Sequence, residues 1–393
     1  MIDYYFVSPT ESVFVRGNLA FGDGGEHGTG MMPPPPSLFA GAFRSAILGR
    51  DPDALSRFLR EGRAGEANLD AALGTFDPST GLPVSPGQFR LGWVSLAGQS
   101  KVGESDAEGI LPLPADLMRL ESGLCRLTPG DPSGLVATGH PLPMVAMMRA
   151  GKQEKPQAGS YLRETGFSEH LAARLPNTSH CVESKTIHVR DPRLGIGLDA
   201  ESRSIESGLI YTTEGFAFNP PDSPFSATGF LVGVEGAEGL LPEGGFLRLG
   251  GDGRSASYRR VHWRPPSQAP ETLGQTDRFR LILQTPGLFE QGWLPAGVTK
   301  DGVDFVLKTH GFEARLVCAA VSRREVVSGW NLLGWRPKDA QRVAPAGSVY
   351  WFDRFTGSPG KLAEWAAGGL WGETVDVARR AEGYNLALVG NWI

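Results

Sequence analysis

The side chains best suited to chemistry in this chain gather behind a short apolar run, Phe246-Leu247-Arg248-Leu249, that leads straight into Gly250-Gly251-Asp252-Gly253-Arg254. A glycine has no Cβ, so its backbone takes positive φ and comes close to another backbone or to a phosphate. Successive N–H groups in such a turn can converge on an anion, and Arg254 adds a fork of donors matched to phosphate oxygens. The same residues also describe a plain hairpin turn between two strands, so the stretch alone leaves both readings open. Arg259, Arg260, His262, Trp263 and Arg264 follow at once, placing four arginines within eleven residues against the single acid Asp252. Cations interleaved with aromatics suit a polyanion with stackable bases.

Other chemistries fit the stretch less well. Gly-Gly-Asp also occurs in palm-type cyclases and polymerases, but those sites need at least two carboxylates to hold paired metal ions, and here an arginine stands two residues after the aspartate. No Gly-Lys-Ser/Thr follows the glycines, which removes a Walker-type phosphate loop. Three scattered cysteines, Cys125, Cys181 and Cys318, support neither a disulfide framework nor a zinc site and point to a reducing compartment. No metal and no cofactor are expected. His180-Cys181 is not a ligand pair, because adjacent residues on extended chain face opposite ways.

The elements that must position this chemistry can be read from periodicity and turn signals. Tyr4 to Val7 and Ser12 to Arg16 read as an opening strand, followed by a glycine-rich loop, 17–36, that carries His27 and ends in four prolines. Ser37 is expected to cap a helix whose Phe39, Phe43 and Ile47 form one buried stripe, with Arg44 near it. A glycine-rich loop before a helix N-terminus suits an anion. Asp51-Pro52 opens a second helix that buries Leu55, Phe58 and Leu59. From residue 61 to 185 the pattern is weakest, and short helices between Gly/Pro loops are expected there as an insertion. Residues 186–190 and 208–212 read as two strands of a long hairpin with a polar tip, bearing Arg190, Arg193, Arg203 and Tyr211.

Further strands are expected at 229–234, 246–249 and 257–263, then a linker at 264–270. The second half opens with a strand at 278–285 and continues with strands at 315–321, 326–330 and 348–352. A helix at 362–370 or 375–381 and a closing strand at 386–389 complete it. The expected class is α+β, with two ferredoxin-like halves built on strand-helix-strand units with antiparallel pairing.

Bulk composition sets the bounds. A chain of 393 residues with 21% charged and 40% hydrophobic residues is long for one core, so two domains are expected. A net charge of −5 argues against nucleic-acid binding over the whole surface and permits a local basic groove. Two further basic stretches qualify: Lys185 to Arg193, and a third running through Arg315, Arg323, Arg324, Arg336, Lys338 and Arg342. Ordinary solvated charge is the alternative for each. The first residues form no signal peptide, and no apolar run reaches the roughly 18 residues of a membrane span, so a cytoplasmic protein with no membrane partner is expected.

Several stretches, in order, resemble one family: the third RAMP subunit of the Cmr complex, the type III-B CRISPR effector. They are Phe14-Val15-Arg16, then 33–48 with its Pro-Pro-Pro-Pro-Ser-Leu-Phe-Ala-Gly-Ala-Phe-Arg, Gly208-Leu209-Ile210-Tyr211 and Leu249-Gly250-Gly251-Asp252-Gly253-Arg254. Thr285-Pro286-Gly287, Gly292-Trp293-Leu294-Pro295, Gly329-Trp330, 343–352 and 383–392 continue the series. The resemblance implies a ferredoxin-like RAMP domain at 1–266, with the insertion at 61–185 and a thumb-like β-hairpin at 186–212, and a second ferredoxin-like domain at 275–393.

It further implies a non-catalytic, RNA-binding subunit that caps the repeat-derived 5′ tag of the crRNA. Its expected partners are the large palm-domain subunit, a backbone RAMP subunit and target RNA near the thumb. Residues expected at RNA are Arg16, His27, Arg44, Arg190, Arg193, Arg203, Tyr211, Gly250, Gly251, Gly253, Arg254, Arg259 and Arg260. The chain departs from the family pattern at Gly17-Asn18-Leu19-Ala20-Phe21, at Arg203-Ser204-Ile205-Glu206, and at Asn385, where glycine is common and asparagine is the best substitute in the left-handed region. Two rival readings remain: an endoribonuclease that processes precursor RNA with His27 as general base, and a scaffold without RNA contact.

Overall fold

In the strand Ile2–Pro9, alternate side chains enter two different cores. Tyr5 and Val7 join Phe39, Phe43 and Val232 in one cluster, while Phe6 joins Trp93, Leu231 and residues of the second half in another. A strand sends successive side chains to opposite faces, so this one element already requires packing on both sides of its sheet. The computed structural model describes residues 1–15, 30–132, 139–148, 154–198, 202, 204–266, 276–309, 311–372 and 375–392, with side chains at all of these except 198, 205–211 and 252.

The first half is built on an eight-stranded antiparallel sheet in the order Cys181–Glu183, Ser160–Arg163, Glu108–Pro112, Arg90–Gln99, Ala227–Glu235, Ile2–Pro9, Ser255–Val261, Gly244–Arg248. Three helices, Pro36–Leu48, Pro52–Glu61 and Ala67–Leu73, lie in the connection from Ile2–Pro9 to Arg90–Gln99. The stripe Phe39, Phe43 and Ile47 is buried as expected. The helix begins at Pro36, however, with Pro35 as its cap, and Ser37 does not cap it. Proline presets the helical φ and lacks the N–H that a cap would satisfy. The Ser37 Oγ lies 3.2 Å from the Tyr384 hydroxyl instead. Asp51 does cap the next helix, accepting from the Asp53 N–H at 3.0 Å.

Residues 61–185 hold more of the main sheet than their sequence suggests: Arg90–Gln99 is a central strand, and three more strands extend the sheet to its edge. Arg90–Gln99 carries Gly92 and Gly98 and is buried on both faces over much of its length. A central strand covered on both sides shows no clean apolar-polar alternation, which is why its pattern was weak.

The second half carries a six-stranded antiparallel sheet in the order Val298–Asp301, Asp304–Thr309, Phe312–Ala320, Val349–Gly357, Phe279–Leu283, Ala387–Asn391. Both regions expected to supply a helix do so, as Pro359–Ala367 and Val377–Ala381. Asn385 takes φ 65°, the left-handed conformation expected of it, and its buried amide bonds to Leu288 and Leu370.

The two sheets meet through a shared apolar layer that also takes in one side of the helix Glu164–Leu171, with Phe167 and Leu171. Trp93, Leu231 and Val261 of the first sheet pack with Ile282, Trp351 and Leu388 of the second. Within this apolar layer sits a buried charge cluster. Arg280, 2% exposed, donates to Asp116 at 2.6 Å, to the His170 carbonyl at 2.5 Å and to the Asn391 carbonyl at 2.9 Å. His170 Nε2 lies 3.0 Å from the second Asp116 oxygen. Burial holds the His170 imidazole down to about 4, partly countered by Asp116. Asp116 itself stays below the usual carboxylate range, because His170, Arg280 and Arg126 together outweigh its burial. A charge in such a layer is tolerated only when paired.

Among the described residues no helix is long and apolar enough to cross a membrane.

Candidate nucleic-acid interface

The strands Ser255–Val261 and Gly244–Arg248 form the hairpin that carries the glycine-rich turn, and the turn itself is one short 3-10 segment, Gly251–Gly253. Its glycines do different jobs. Gly250 has φ 87°, and a Cβ there would stand 2.6 Å from the Phe14 carbonyl oxygen, which also accepts from the Gly251 N–H at 2.8 Å. That close approach is therefore to the protein's own backbone. Gly253 has φ 67° and faces open space, with no atom within 4 Å of an added Cβ. Gly251 and Gly253 are both exposed.

Phe14 is the hub of the site. Its ring contacts Gly215, where an added Cβ would lie 3.0 Å from ring carbons, and it carries two guanidiniums, Arg254 at 5.3 Å and Arg193 at 5.4 Å from the ring centroid. Cations over an aromatic face are attracted by its quadrupole. Arg193 comes from a separate two-stranded ribbon, His188–Leu198 paired with Ile205–Phe218. A hairpin was expected at 186–212, and this ribbon is longer than its sequence suggested. Backbone pairing of Val13 with Phe216 fixes the ribbon's base beside Phe14.

Each arginine here has a carboxylate partner. Arg254 pairs with Glu11, Arg193 with Asp191 at 2.8 Å, and Arg190 with Glu214 at 3.0 Å. Ser12 donates to Asp191 at 2.5 Å, and that hydrogen bond, together with Arg193, holds the Asp191 carboxyl below its ordinary value. Glu214 also accepts from the Gly30 N–H at 3.1 Å, tying down the chain where it leaves the glycine-rich loop. The site is thus a cluster of cations in local balance with their carboxylates.

The structure brings Arg193, Gly250, Gly251, Gly253 and Arg254 together, whereas Arg190, three residues from Arg193 on the same strand, lies on the opposite face of the ribbon with Glu214. Arg259 and Arg260 lie further along the same strand and, being adjacent, point to opposite faces: Arg259 donates to the Gly103 carbonyl, while Arg260 pairs with Asp3 at 3.2 Å and Glu243 at 2.9 Å. Arg44 packs inward. It lies over the Phe89 ring at 4.9 Å, and burial, partly countered by Glu382, lowers its pKa. Glu382 is in turn held by Lys338 and by Arg379 at 3.0 Å. Arg16, His27 and Arg203 lie outside the described residues, as does the Tyr211 side chain.

Sequence reasoning missed Phe14 as a platform and the three carboxylates. Strand register contained one signal: Pro9 pairs with Ala256 antiparallel, and continuing that register sets Glu11 opposite Arg254. Opposite charges on facing positions attract. Among the described residues no group of His, Cys, Asp and Glu is arranged to hold a metal ion.

With this geometry in view, comparison with known families is informative. Residues 5–392 match the family described as CRISPR-associated protein (Cas_Cmr3). The chain belongs to the Cas_Cmr3 family. This Cas_Cmr3 chain is thereby a Cmr subunit. No curated protein matches it. Two solved chains are similar in overall course. One is from a cryo-EM structure of the type III-B Cmr-β bound to cognate target RNA and AMPPnP, state 1, with TM-score 0.49, 12% identity and coverage of 98% of this chain and 95% of that one. The other is from the type III-B Cmr-β bound to cognate target RNA, with TM-score 0.47, 13% identity and coverage of 98% and 96%.

Proposed function

We propose that this Cas_Cmr3 chain is a non-catalytic guide-RNA-binding subunit of a type III-B Cmr effector complex, holding the repeat-derived 5′ end of the crRNA. In this reading it sits between the large palm-domain subunit and the backbone RAMP subunits, with target RNA passing near the ribbon 188–218. The core strands of both sheets follow the order of a split βαβ unit, which supports reading each half as a variant of the ferredoxin-like plan.

The observation that carries the reading is the convergence on Phe14: two guanidiniums, an exposed glycine turn and the base of a projecting ribbon meet at one place. Cations and the N–H groups of an exposed glycine turn meet the phosphates of single-stranded RNA in such a combination, while Phe14, itself buried, seats the two guanidiniums. The carboxylate partners keep the arginines pre-positioned and are exchanged for phosphate on binding.

Replacing Arg254 with alanine removes one phosphate contact. Guide affinity is then expected to fall several-fold, and the slope of log affinity against log salt to shrink by about 0.7. Affinity and slope both equal to the parent protein's would overturn the assignment. Incubating precursor RNA with the protein and with His27→Ala tests the non-catalytic part: cleavage by the parent that the variant loses would replace this reading with a processing nuclease.

A further inference from the structure

The third basic stretch of the sequence folds into something the guide-binding reading does not use. Residues 329–338 form a small ribbon in which Trp330 pairs with Pro337 and Asn331 with Arg336. Its base is held firmly: Lys338 donates its N–H to the Gly329 carbonyl at 2.8 Å, and the Asn331 amide reaches across to the Thr80 carbonyl at 3.0 Å. Its turn presents Trp335, 74% exposed, edge-on to Trp330 with ring centroids 5.7 Å apart. Trp335 sits at φ 46°, in the left-handed region that a bulky side chain rarely adopts. Burial of the indole does not repay that cost, since most of it faces solvent.

Charge singles the ribbon out further. Arg323, Arg324, Arg336 and Arg342 are all exposed, and among the described residues none of them forms an ion pair. Arg193 and Arg254 at Phe14, by contrast, are each matched by a carboxylate. An unpaired guanidinium next in sequence to an exposed indole, Arg336 after Trp335, with Arg342 six residues further along the chain, complements a polyanion that carries flat apolar rings.

We infer that the ribbon 329–338 is a second single-stranded RNA contact, in which a base stacks on Trp335 while Arg336 and Arg342 meet the flanking phosphates. Stacking on a protruding indole is tolerant of sequence, because every base has a π-face, so this contact adds affinity without reading letters. The inference rests on the chain being an RNA-binding subunit, and adds a site on the second half.

The test uses the full-length protein and a fluorescein-labelled 12-nucleotide oligo(A) RNA, with binding followed by anisotropy over a salt titration and by quenching of tryptophan emission. Trp335→Ala is expected to weaken binding about tenfold with little change in salt slope, and to remove part of the quenching. Trp335→Phe keeps a ring and retains most of the affinity. A double variant, Arg336→Ala with Arg342→Ala, should lower the salt slope by about 1.4. The exposure of Trp335 leaves the thermal midpoint of its variants unchanged, which separates stacking from folding. Trp335→Ala binding as tightly as the parent overturns the inference, and if that variant instead loses association with other subunits of the complex, the ribbon is a protein contact. Loss of binding on Arg254→Ala with none on Trp335→Ala defeats this site alone, whereas no binding by the parent protein defeats both readings.

Discussion

The two halves use one strand order and opposite ways of connecting it. In the first, the run Arg90–Gln99, Ala227–Glu235, Ile2–Pro9, Ser255–Val261 has its three covering helices in the connection between Ile2–Pro9 and Arg90–Gln99, with Glu164–Leu171 in the next connection and on the shared layer, while the connection from Ala227–Glu235 to Ser255–Val261 is the hairpin with the glycine-rich turn. In the second, the corresponding run is Phe312–Ala320, Val349–Gly357, Phe279–Leu283, Ala387–Asn391. There the early connection holds the hairpin Val298–Asp301 and Asp304–Thr309, and the late one holds the helices Pro359–Ala367 and Val377–Ala381. Each sheet needs one apolar face covered by helix and gives its other face to its neighbour. Which connection supplies the cover is free, and the connection released from that duty can become a surface device. In the first half that device is the turn beside Phe14.

If the halves are joined through their shared layer, its charge cluster should be the most sensitive point. Arg280→Met leaves Asp116 buried beside a histidine without its cation, and a loss of about 3–5 kcal/mol is expected, read as a lower urea midpoint of one cooperative transition. Two separate transitions in the parent protein would break the comparison by showing that the halves unfold independently.

Acid should act next most strongly. Burial holds His170 and His188 down to about 4 in the fold, against about 6.5 when unfolded. The unfolded chain therefore binds protons first, so stability falls as pH drops from about 6.5 toward 4. Asp116, whose folded pKa is lowered, contributes stability present above the unfolded carboxylate value and lost only below that window. A urea midpoint that stays level between pH 7 and pH 5 would contradict this.

The smallest effect compares the two helical covers directly. Asp51 caps a first-half helix through the Asp53 N–H at 3.0 Å, and Asp376 caps a second-half helix through the Arg379 N–H at 3.0 Å. Alanine at either position is expected to cost about 1 kcal/mol by thermal denaturation, and a markedly unequal pair would show that one cover is less tightly coupled to its sheet than the other.

Much of this was legible in order along the chain. Asp51-Pro52 announced a helix start, Phe39, Phe43 and Ile47 announced a buried stripe, and Asn385 announced a left-handed turn, because capping, period and αL preference act within a few residues. Arg90–Gln99 was not legible, since burial on both faces erases the alternation that marks a strand. The packing of Arg44 was not legible either, because a helix position says nothing of what packs over it; Phe89 and Glu382 lie far away in sequence.

The sequence by itself determined which residues are chemically able to meet an anion, and which local turns and helices they sit on, because those properties depend on side-chain type and near neighbours. Only the tertiary structure decided which of them meet. Antiparallel register set Glu11 against Arg254 and the ribbon's base brought Arg193 to Phe14, so that both are paired with carboxylates, while among the described residues Arg323, Arg324, Arg336 and Arg342 form no ion pair. Such pairings depend on distance in space between residues remote in the chain, and that distance exists only once the sheets have formed.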